Sequence, residues 1–358
     1  MTKEYISSQQ SMLLIAGFGV GTALLLLPTI LVQFAKQGAL ISTALAMFPG
    51  ILLVVLLSCL SKWYPGQSLV QYSVSVLGIP GRILGLLFIW FAFHLTTLVL
   101  SNIGDFVALI ILPETPMPVV FSVLIGITAL AIFYGLETTS RALSLLIFLA
   151  TIFSVMLLLF TLPHGNFSNM MPIMGSGWGG IIKGGIYTSS FPVGEFVLFG
   201  MLIHNIKNPK GAALPLIYGQ FIGATVGTAV FFQVMIILGP ERASRSVMAI
   251  VSTLNALPGS NILLIPFALT WFIFAIVKLF ICYYAFVISL AHWVRMEDYR
   301  PLVLPGGALI ICIATILFSG VGEHQEFNRI YWPAYSIPLE YGIPLLIWLV
   351  AGIKKLFK

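Results

Sequence analysis

Three ionisable side chains stand well inside long apolar stretches of this sequence: Glu195, Lys278 and His94. A carboxylate and an ammonium in such surroundings can pair with each other, exchange protons, or bind the opposite charges of a zwitterionic ligand. An imidazole gains or loses its proton near neutral pH. Because a charged group in an apolar medium is costly unless it is paired, these three residues are the first candidates for function.

The apolar stretches that hold them make up most of the chain. Of 358 residues, 59% are hydrophobic, with only 17 basic and 11 acidic side chains, whereas charged residues make up about a quarter of a soluble protein. A membrane helix needs about 20 mainly apolar residues, and the runs are continuous, without the alternation of a β-barrel strand. The composition excludes a water-soluble globule and predicts an all-α membrane protein with a single transmembrane domain, residues 1–358.

Runs bounded by charges, Pro and Gly predict ten transmembrane helices. They lie near residues 7–33, 38–61, 82–112, 117–136, 141–163, 180–205, 211–239, 261–293, 302–319 and 337–357. With this division, eleven Lys and Arg residues, including Lys3 and Lys358, fall in the loops of one side, and five fall on the other. Because cytoplasmic loops carry the excess of basic residues, both termini are expected to be cytoplasmic.

Two of the ten predicted spans contain helix-breaking residues at mid-depth. Span 1 carries Gly17-Phe18-Gly19-Val20-Gly21, and span 6 carries Ser189 to Glu195 with Pro192 and Gly194. Irregular backbone at this depth is tolerated where it is buried in protein or lines a cavity. The breaks lie five spans apart and open halves of similar length, about 1–165 and 175–358, which is typical of inverted-repeat transporters. The alternative is that Gly and Pro are simply common in membrane helices.

Glu195 and Lys278 are the only acidic and basic side chains that this division places near the bilayer midplane. Each costs at least roughly 2.5–3.5 kcal/mol there on insertion scales. They form either a structural ion pair or part of a ligand cavity. In span 3, His94, Ser101 and Asp105 share one helical face, which favours a cavity wall or water path, although a histidine bonded to a neighbouring helix fits equally well. Asp105 is placed near the outer interface.

Other patterns indicate packing and exclude several function classes. Gly219, Gly223 and Gly227 recur every fourth residue in span 7, a spacing that lets a second helix approach closely. Zinc-peptidase, hydrolase and dinucleotide motifs are absent, as is a Cys/His cluster with metal-ligand spacing. The basic residues are scattered, so nucleic acid is not an expected partner. No enzyme activity, metal or cofactor is expected.

Several short motifs resemble a known group of transporters. Gly19-Val20-Gly21 followed by Leu27-Pro28 is similar to the amino acid/polyamine/organocation transporter superfamily. More narrowly, the chain resembles the B subunits of spore germinant receptors, the endospore germination permeases. That resemblance depends on three stretches: Pro172-x-x-Gly175-x-Gly177, Gly194-Glu195-Phe196 and Lys207-Asn208-Pro209-Lys210. Ser176 stands where an acidic residue is expected in this family.

The resemblance implies a LeuT-type fold of five plus five helices, with helices 1 and 6 broken. It implies a nutrient site, usually for an amino acid, at the two breaks, closed by spans 3 and 8. Carried onto this chain, the ligand-binding residues are Gly17, Phe18, Gly19, Val20, Gly21, Phe91, His94, Phe191, Val193, Gly194, Glu195 and Lys278. The implied partners are an A-type subunit and a C-type lipoprotein subunit, with membrane lipid around them. The implied location is the spore inner membrane or the bacterial cell membrane.

Two functions remain open at this stage. One is a nutrient sensor that signals through its partner subunits. The other is a proton-coupled amino-acid permease in which Glu195 or His94 is the titrating group; an ion or water channel is a weaker third. Sodium-coupled relatives hold a cation between spans 1 and 8, so the fixed ammonium of Lys278 predicts ligand binding that needs no sodium.

Overall fold

The computed structural model describes residues 4–357, apart from the side chain of Asn261. Lys3 and Lys358, which the count of basic residues includes, lie outside the described residues. Within that range the regular structure is helical, and a single bridge pairs Ile6 with Ile206. The α-helices are α1 (Ser8–Val20), α2 (Ala23–Ala35), α3 (Ala39–Trp63), α4 (Leu69–Leu77), α5 (Ile79–Phe106), α6 (Met117–Tyr134), α7 (Leu136–Thr161), α8 (Gly177–Thr188), α9 (Ala213–Arg245), α10 (Ala249–Asn255), α11 (Ser260–Val294), α12 (Val303–Ile316), α13 (Val321–Glu326), α14 (Trp332–Ile337) and α15 (Ile343–Leu356).

Seven helical runs in the described residues are long and apolar enough to cross a membrane. They are Ala23–Trp63, Ile79–Ile111, Met117–Tyr134, Leu136–His164, Ala213–Arg245, Ile262–Val294 and Val321–Leu356. A shorter apolar helical stretch covers Arg300–Ile316. Many large apolar side chains on these helices are exposed at the protein surface, as lipid-facing positions require, because the bilayer is as apolar as they are. The predicted class, an all-α integral membrane protein, is confirmed.

The first helical run stops and restarts at Gly21 and Thr22. A capping box at Ser7 and Gln10 starts α1 by satisfying its free N–H groups. That helix ends at Val20, and α2 begins at Ala23. The break lies in the protein interior, because α1 packs against α7, α9 and α11, and α2 packs against α8 and α9.

A second irregular stretch follows α8. The chain passes through a π-helical turn, Ser189–Val193, into a 3₁₀ segment, Gly194–Met201. Phe191 has the extended dihedral angles φ −136° and ψ 114° in the middle of this run. Pro192 has no N–H to give to the helix. Every residue from Ser190 to Met201 is buried, so the irregular backbone is shielded from lipid.

The last span starts earlier than the sequence predicted. Helical structure begins at Val321, whereas the predicted span began at 337, and it continues through two π-helical turns, Phe327–Tyr331 and Pro338–Gly342. Charged residues in the first turns, among them Glu323 and Arg329, gave this stretch the composition of a loop. Span 7, predicted to end at 239, is interrupted at that residue: Gly239 has φ 71°, and a short helical stretch to Arg245 follows the kink.

The described residues near the two chain ends lie on one side of the molecule, called here the terminal face. The carboxylate of Glu4 accepts a hydrogen bond from the backbone N–H of Leu136, and Tyr299 Oη lies 3.5 Å from it. Lys354 Nζ donates to the carbonyl of Val76 at 2.6 Å. Trp293, near Tyr299 in sequence, donates to the carbonyl of Arg82 close after α4. These contacts place Glu4 and Lys354 at the same end of the helical bundle.

Candidate functional site

The centre of the molecule holds an ion pair with no solvent exposure. Lys278 Nζ lies 2.6 Å from Glu195 Oε2, and both residues are 0% exposed. Glu195 comes from the 3₁₀ segment after the Phe191 break, and Lys278 comes from the middle of α11. An unpaired charge at this depth would be strongly unfavourable. The pair therefore fixes the irregular part of span 6 against α11.

Lys278 reaches this position through the gap between α1 and α2. A Cβ atom at Gly21 would lie 2.7 Å from Lys278 Cδ, so only glycine leaves room for the lysine chain. The ammonium lies over two aromatic rings, 5.3 Å from the centroid of Phe18 and 4.6 Å from that of Phe191. Aromatic faces attract a cation. Residues from both breaks therefore surround one lysine.

Several polar atoms at these breaks are not satisfied by the protein. Apart from the 2.6 Å contact between them, Lys278 Nζ and the carboxylate oxygens of Glu195 have no hydrogen-bond partner among the described residues. The same holds for the buried hydroxyls of Thr22, beside Gly21, and Tyr187, one turn before Phe191. Since buried polar groups in folded proteins are almost always hydrogen-bonded, this set is equipped to contact a polar ligand.

A third ionisable residue, Glu340, belongs to the same region and was missed by the sequence prediction. It is 0% exposed and lies in the π-helical turn Pro338–Gly342. Its carboxyl group packs directly against Gly194, where a Cβ atom would overlap it. The expectation that Glu195 and Lys278 are the only such residues at mid-depth is wrong. The predicted start of span 10 at 337 put Glu340 at the membrane interface, whereas it lies near the middle of Val321–Leu356.

The structure brings five of the predicted site residues together: Phe18, Gly21, Phe191, Glu195 and Lys278. Gly194 adjoins this group through Glu340. The remaining residues of the span 1 motif take other neighbours. Gly17 faces Ile147 of α7 and Val277 of α11, and Gly19 faces the ring of Phe196.

Phe91 and His94 are buried in α5, and their aromatic contacts outside that helix are with the last span. The ring of Phe91 stacks on Trp332 at 5.9 Å. His94 stacks on Trp90 at 5.7 Å and meets the edge of Tyr335 at 5.3 Å. Its Nδ1 atom has no hydrogen-bond partner among residues 4–357. These two residues thus form an aromatic layer between α5 and α14.

Asp105, placed near the outer interface by its sequence position, is buried and paired. Its Oδ2 atom lies 2.8 Å from Nδ1 of His324, and the residues are 8% and 1% exposed. His324 lies on α13, and its ring stacks on Phe318 at 4.5 Å. The interaction closes the end of the bundle opposite the terminal face. Because α13 was interpreted as a loop, the sequence offered no partner for Asp105.

One cavity lies beside the breaks, and a second lies toward the end of the bundle opposite the terminal face. The first has a volume of about 50 Å³, and its lining includes Gly19, Val20, Val193 and Gln220. Because a cavity volume of about 10–15 Å³ is enough for one water molecule, this cavity holds a few. A larger one of about 390 Å³ opens near the Asp105–His324 end. Its polar lining includes Gln33, Gln325, Glu326, Asn328 and Arg329.

In the part of the chain that the structure describes, no group of three or more His, Cys, Asp or Glu side chains is arranged to hold a metal ion. The unsatisfied groups at the breaks instead combine one ammonium, carboxylate oxygens and hydroxyls. This donor set suits a small polar molecule that carries charges of both signs.

The fold is shared with solved transporters. The MhsT structure in complex with L-phenylalanine superposes with a TM-score of 0.69 at 11% identity, covering 98% of this chain and 99% of that one. Mhp1, a nucleobase-cation-symport-1 family transporter in a closed conformation with bromovinylhydantoin bound, gives a TM-score of 0.64 at 13% identity. It is matched over 96% of this chain and 78% of its own. The chain therefore has the LeuT-type transporter fold that the sequence motifs implied.

Curated sequences point to a narrower group. Spore germination protein KB of Bacillus subtilis (strain 168) is 24% identical over 365 residues, covering 99% of this chain and 96% of that protein. Spore germination protein YndE of the same organism is 23% identical over 236 residues, covering 65% of this chain and 63% of that protein. A family model described as spore germination protein matches residues 5–323. This family consists of germination permeases and not of enzymes. The chain thus belongs to the spore germination protein family, as its resemblance to the B-type permeases of germinant receptors predicted.

Proposed function

We propose that this protein is the nutrient-binding subunit of a germinant receptor, with an amino acid as its ligand. The observation that carries the proposal is the buried Glu195–Lys278 pair, which lies where the breaks of spans 1 and 6 meet and keeps hydrogen-bonding capacity free. The carboxylate of the amino acid would interact with the ammonium of Lys278, and its ammonium would interact with the carboxylate of Glu195. The family membership supports germination as the setting, and the bound L-phenylalanine of MhsT supports the ligand class for the fold.

The full predicted site consists of Gly17–Gly21, Phe91, His94, Phe191, Val193, Gly194, Glu195 and Lys278. In this proposal, Phe18, Gly21, Phe191, Glu195 and Lys278 contact the ligand. Phe91 and His94 form the wall that moves with the last span when the site opens. A cavity of about 50 Å³ beside the breaks is too small for an amino acid, so binding requires the bundle to widen.

The proposed topology has ten spans in two inverted repeats, residues 1–165 and 175–358, within one transmembrane domain. The long run Ala23–Trp63 divides at Lys36, where φ is 47°, so α1 with α2 forms a broken span 1 and α3 forms span 2. The run from α8 to Met201 forms the broken span 6, and α12 forms span 9. A short helix follows the second span of each half, α4 in the first and α10 in the second, which supports the repeat.

The receptor is proposed to sit in the spore inner membrane with the terminal face toward the cytoplasm, following the excess of basic residues on that side. The A-type subunit and the C-type lipoprotein subunit would detect the conformational change in this chain. A ligand shifts a conformational equilibrium only by its difference in affinity for the two states. Since the described arrangement is closed around Lys278, we propose that the amino acid favours a wider state that the partners recognise.

The alternative function is a proton-coupled amino-acid permease, and the test separates the two. Uptake and binding of a labelled amino-acid panel are measured in parallel, with proteoliposomes that contain this chain alone. Binding without uptake supports the receptor subunit, whereas saturable uptake establishes a permease. If no amino acid binds this chain, alone or in membranes with its A-type and C-type subunits, the proposed ligand class is wrong.

A second measurement tests the role of the lysine. Its ammonium occupies the gap between span 1 and α11, so we expect the same binding in sodium, potassium and choline chloride. Sodium-dependent binding by the wild-type protein would contradict the proposal that Lys278 replaces a bound cation.

The variant Glu195→Gln tests the site itself. We expect at least a tenfold loss of amino-acid affinity, about 1.4 kcal/mol, with normal membrane insertion. The matched control is Glu137→Gln, which changes an exposed carboxylate paired with Arg141 at a surface turn. Wild-type affinity in purified Glu195→Gln would refute the assignment.

A further inference from the structure

Glu340 is a buried carboxyl group that is not among the proposed ligand-contacting residues. It is fully buried, its Oε2 atom accepts a hydrogen bond from Ser336 Oγ at 3.1 Å, and its Oε1 atom has no partner among the described residues. The group rests on the backbone at Gly194, one residue from Glu195. A second carboxyl group thus adjoins the Glu195–Lys278 pair.

The charges of this region do not balance if all three groups are ionised. Two carboxylates and one ammonium would leave a net negative charge in a fully buried part of a membrane protein. An isolated ionised carboxylate in an apolar medium is so unfavourable that the group takes up a proton instead. Hydrogen bonding from one serine does not offset such a charge, so one proton must reside on the two carboxyl groups.

The contacts decide which carboxyl group holds the proton. Glu195 Oε2 lies 2.6 Å from the ammonium of Lys278, which stabilises its ionised form. Glu340 forms no salt bridge with any cation in residues 4–357. Lys278 is near enough to act on it electrostatically, but that ammonium is already paired with Glu195. The segments packed against Glu340 contribute Glu195 from Gly194–Met201, His94 from α5 and the hydroxyl of Tyr335 from α14. Tyr341, on the same turn as Glu340, donates its hydroxyl proton to the carbonyl of Ser189 at 2.6 Å.

We propose that Glu340 is a proton-binding site and is neutral in the closed arrangement, so that the cluster carries no net charge. A zwitterionic amino acid brings one charge of each sign, so this balance is the same in the empty and the occupied site, and Glu340 keeps its proton. The statement about the occupied site rests on the proposed function; the bound proton of the empty site does not.

The bound proton is tested without any ligand, by infrared spectroscopy of the purified full chain at neutral pH. A protonated carboxylic acid has a carbonyl stretch that is resolved from the bands of carboxylates. We expect this band in the wild type, its loss in Glu340→Gln, and its retention in Glu326→Gln, which removes an exposed carboxylate of the same span. A wild type without the band, or a band that persists in Glu340→Gln, would overturn the proposal.

The position of the proton is tested by comparing stability. Glutamine is the neutral isostere of protonated glutamate, so Glu340→Gln should unfold at the wild-type midpoint in an SDS titration. Glu195→Gln removes the partner of Lys278 and should shift the midpoint to lower SDS. The reverse order would place the proton on Glu195 and contradict the assignment to Glu340.

The retention of the proton is tested with whichever zwitterionic amino acid binds in the panel. Around neutral pH, affinity should not vary with pH in the wild type or in Glu340→Gln. A wild-type affinity that rises about tenfold per pH unit, with no such change in Glu340→Gln, would show that Glu340 releases its proton on binding and would contradict this part of the proposal. If no amino acid binds, the proposed function fails, and the infrared and stability results still decide whether Glu340 holds a proton.

Discussion

At the residue scale, Lys278 organises the centre of this protein. Its chain fills the space left by Gly21, its ammonium lies between Phe18 and Phe191, and its charge is met by Glu195. All five of these residues belong to the site predicted from the sequence, because ionisable groups and helix breakers are conspicuous in apolar runs. The sequence did not decide between an ion pair and a ligand site. The geometry shows the ion pair, and the ligand site remains our proposal from the unpartnered polar atoms around it.

The energetic role of the pair leads to a prediction about stability. Lys278→Met leaves Glu195 buried without a partner, and breaking a buried pair in this way costs about 3–5 kcal/mol. Replacing both members, Glu195→Gln with Lys278→Met, should recover most of the loss because no charge remains unpaired. The apparent free energy of unfolding, measured by SDS titration in mixed micelles, should be lowest for the single variant. A double variant no more stable than Lys278→Met would show that the lysine stabilises through packing alone.

At the element scale, the sequence predicted the helices whose composition is uniform and failed where charges enter a span. The stripe Gly219, Gly223 and Gly227 was interpreted as packing, and the first two do lie against the backbone of α1, at Met12 and Ala16. The beginning of the last span was missed because Glu323, Glu326 and Arg329 mark a loop in a hydropathy count. Their side chains lie at the end of the bundle, where water reaches them.

The same error hid Glu340 and the partner of Asp105. A span that starts at Val321 puts Glu340 near its middle and brings His324 beside the end of α5. One signal was available: Glu340 is the only acidic residue in the apolar stretch from Trp332 to Ile353. Contacts between helices distant in sequence, such as the 2.8 Å approach of His324 to Asp105, leave no periodic pattern and require the fold.

The packing of α1 on α9 gives a prediction at this scale. A Cβ atom at Gly219 would overlap the carbonyl of Met12, whereas nothing lies within 4 Å of one at Gly227. Gly219→Ala should therefore push the helices apart and destabilise the protein by about 1–3 kcal/mol. Gly227→Ala, the control in the same helix, should be neutral or slightly stabilising, because alanine favours helix. Equal melting temperatures for the two variants would mean that α1 and α9 do not pack as closely as described.

At the scale of the whole molecule, the central site is closed at both ends by polar contacts. At the terminal face, Glu4 joins the loop between α6 and α7 to Tyr299, which follows α11. At the opposite end, Asp105 holds His324. A sensor or a permease with this fold must expose its site to one side, so one of these two closures has to release while the other holds.

A buried thiol reports on both closures. Cys282 lies one helical turn after Lys278 and is fully buried, whereas Cys59 and Cys312 are half-buried and exposed. In a chain with Cys59→Ser and Cys312→Ser, a small membrane-impermeant thiol reagent should barely modify Cys282.

Asp105→Asn weakens the outer closure and should raise the labelling rate of Cys282 when the reagent is added on the side opposite the termini. Glu4→Gln should raise it only from the terminal face, because the helix N-terminus at Leu136 loses its carboxylate. The control Glu137→Gln lies beside Leu136 but is exposed and contacts Arg141, so it should leave the rate unchanged. If either variant admits the reagent from both faces alike, the two contacts are not separate closures and the bundle opens as one unit.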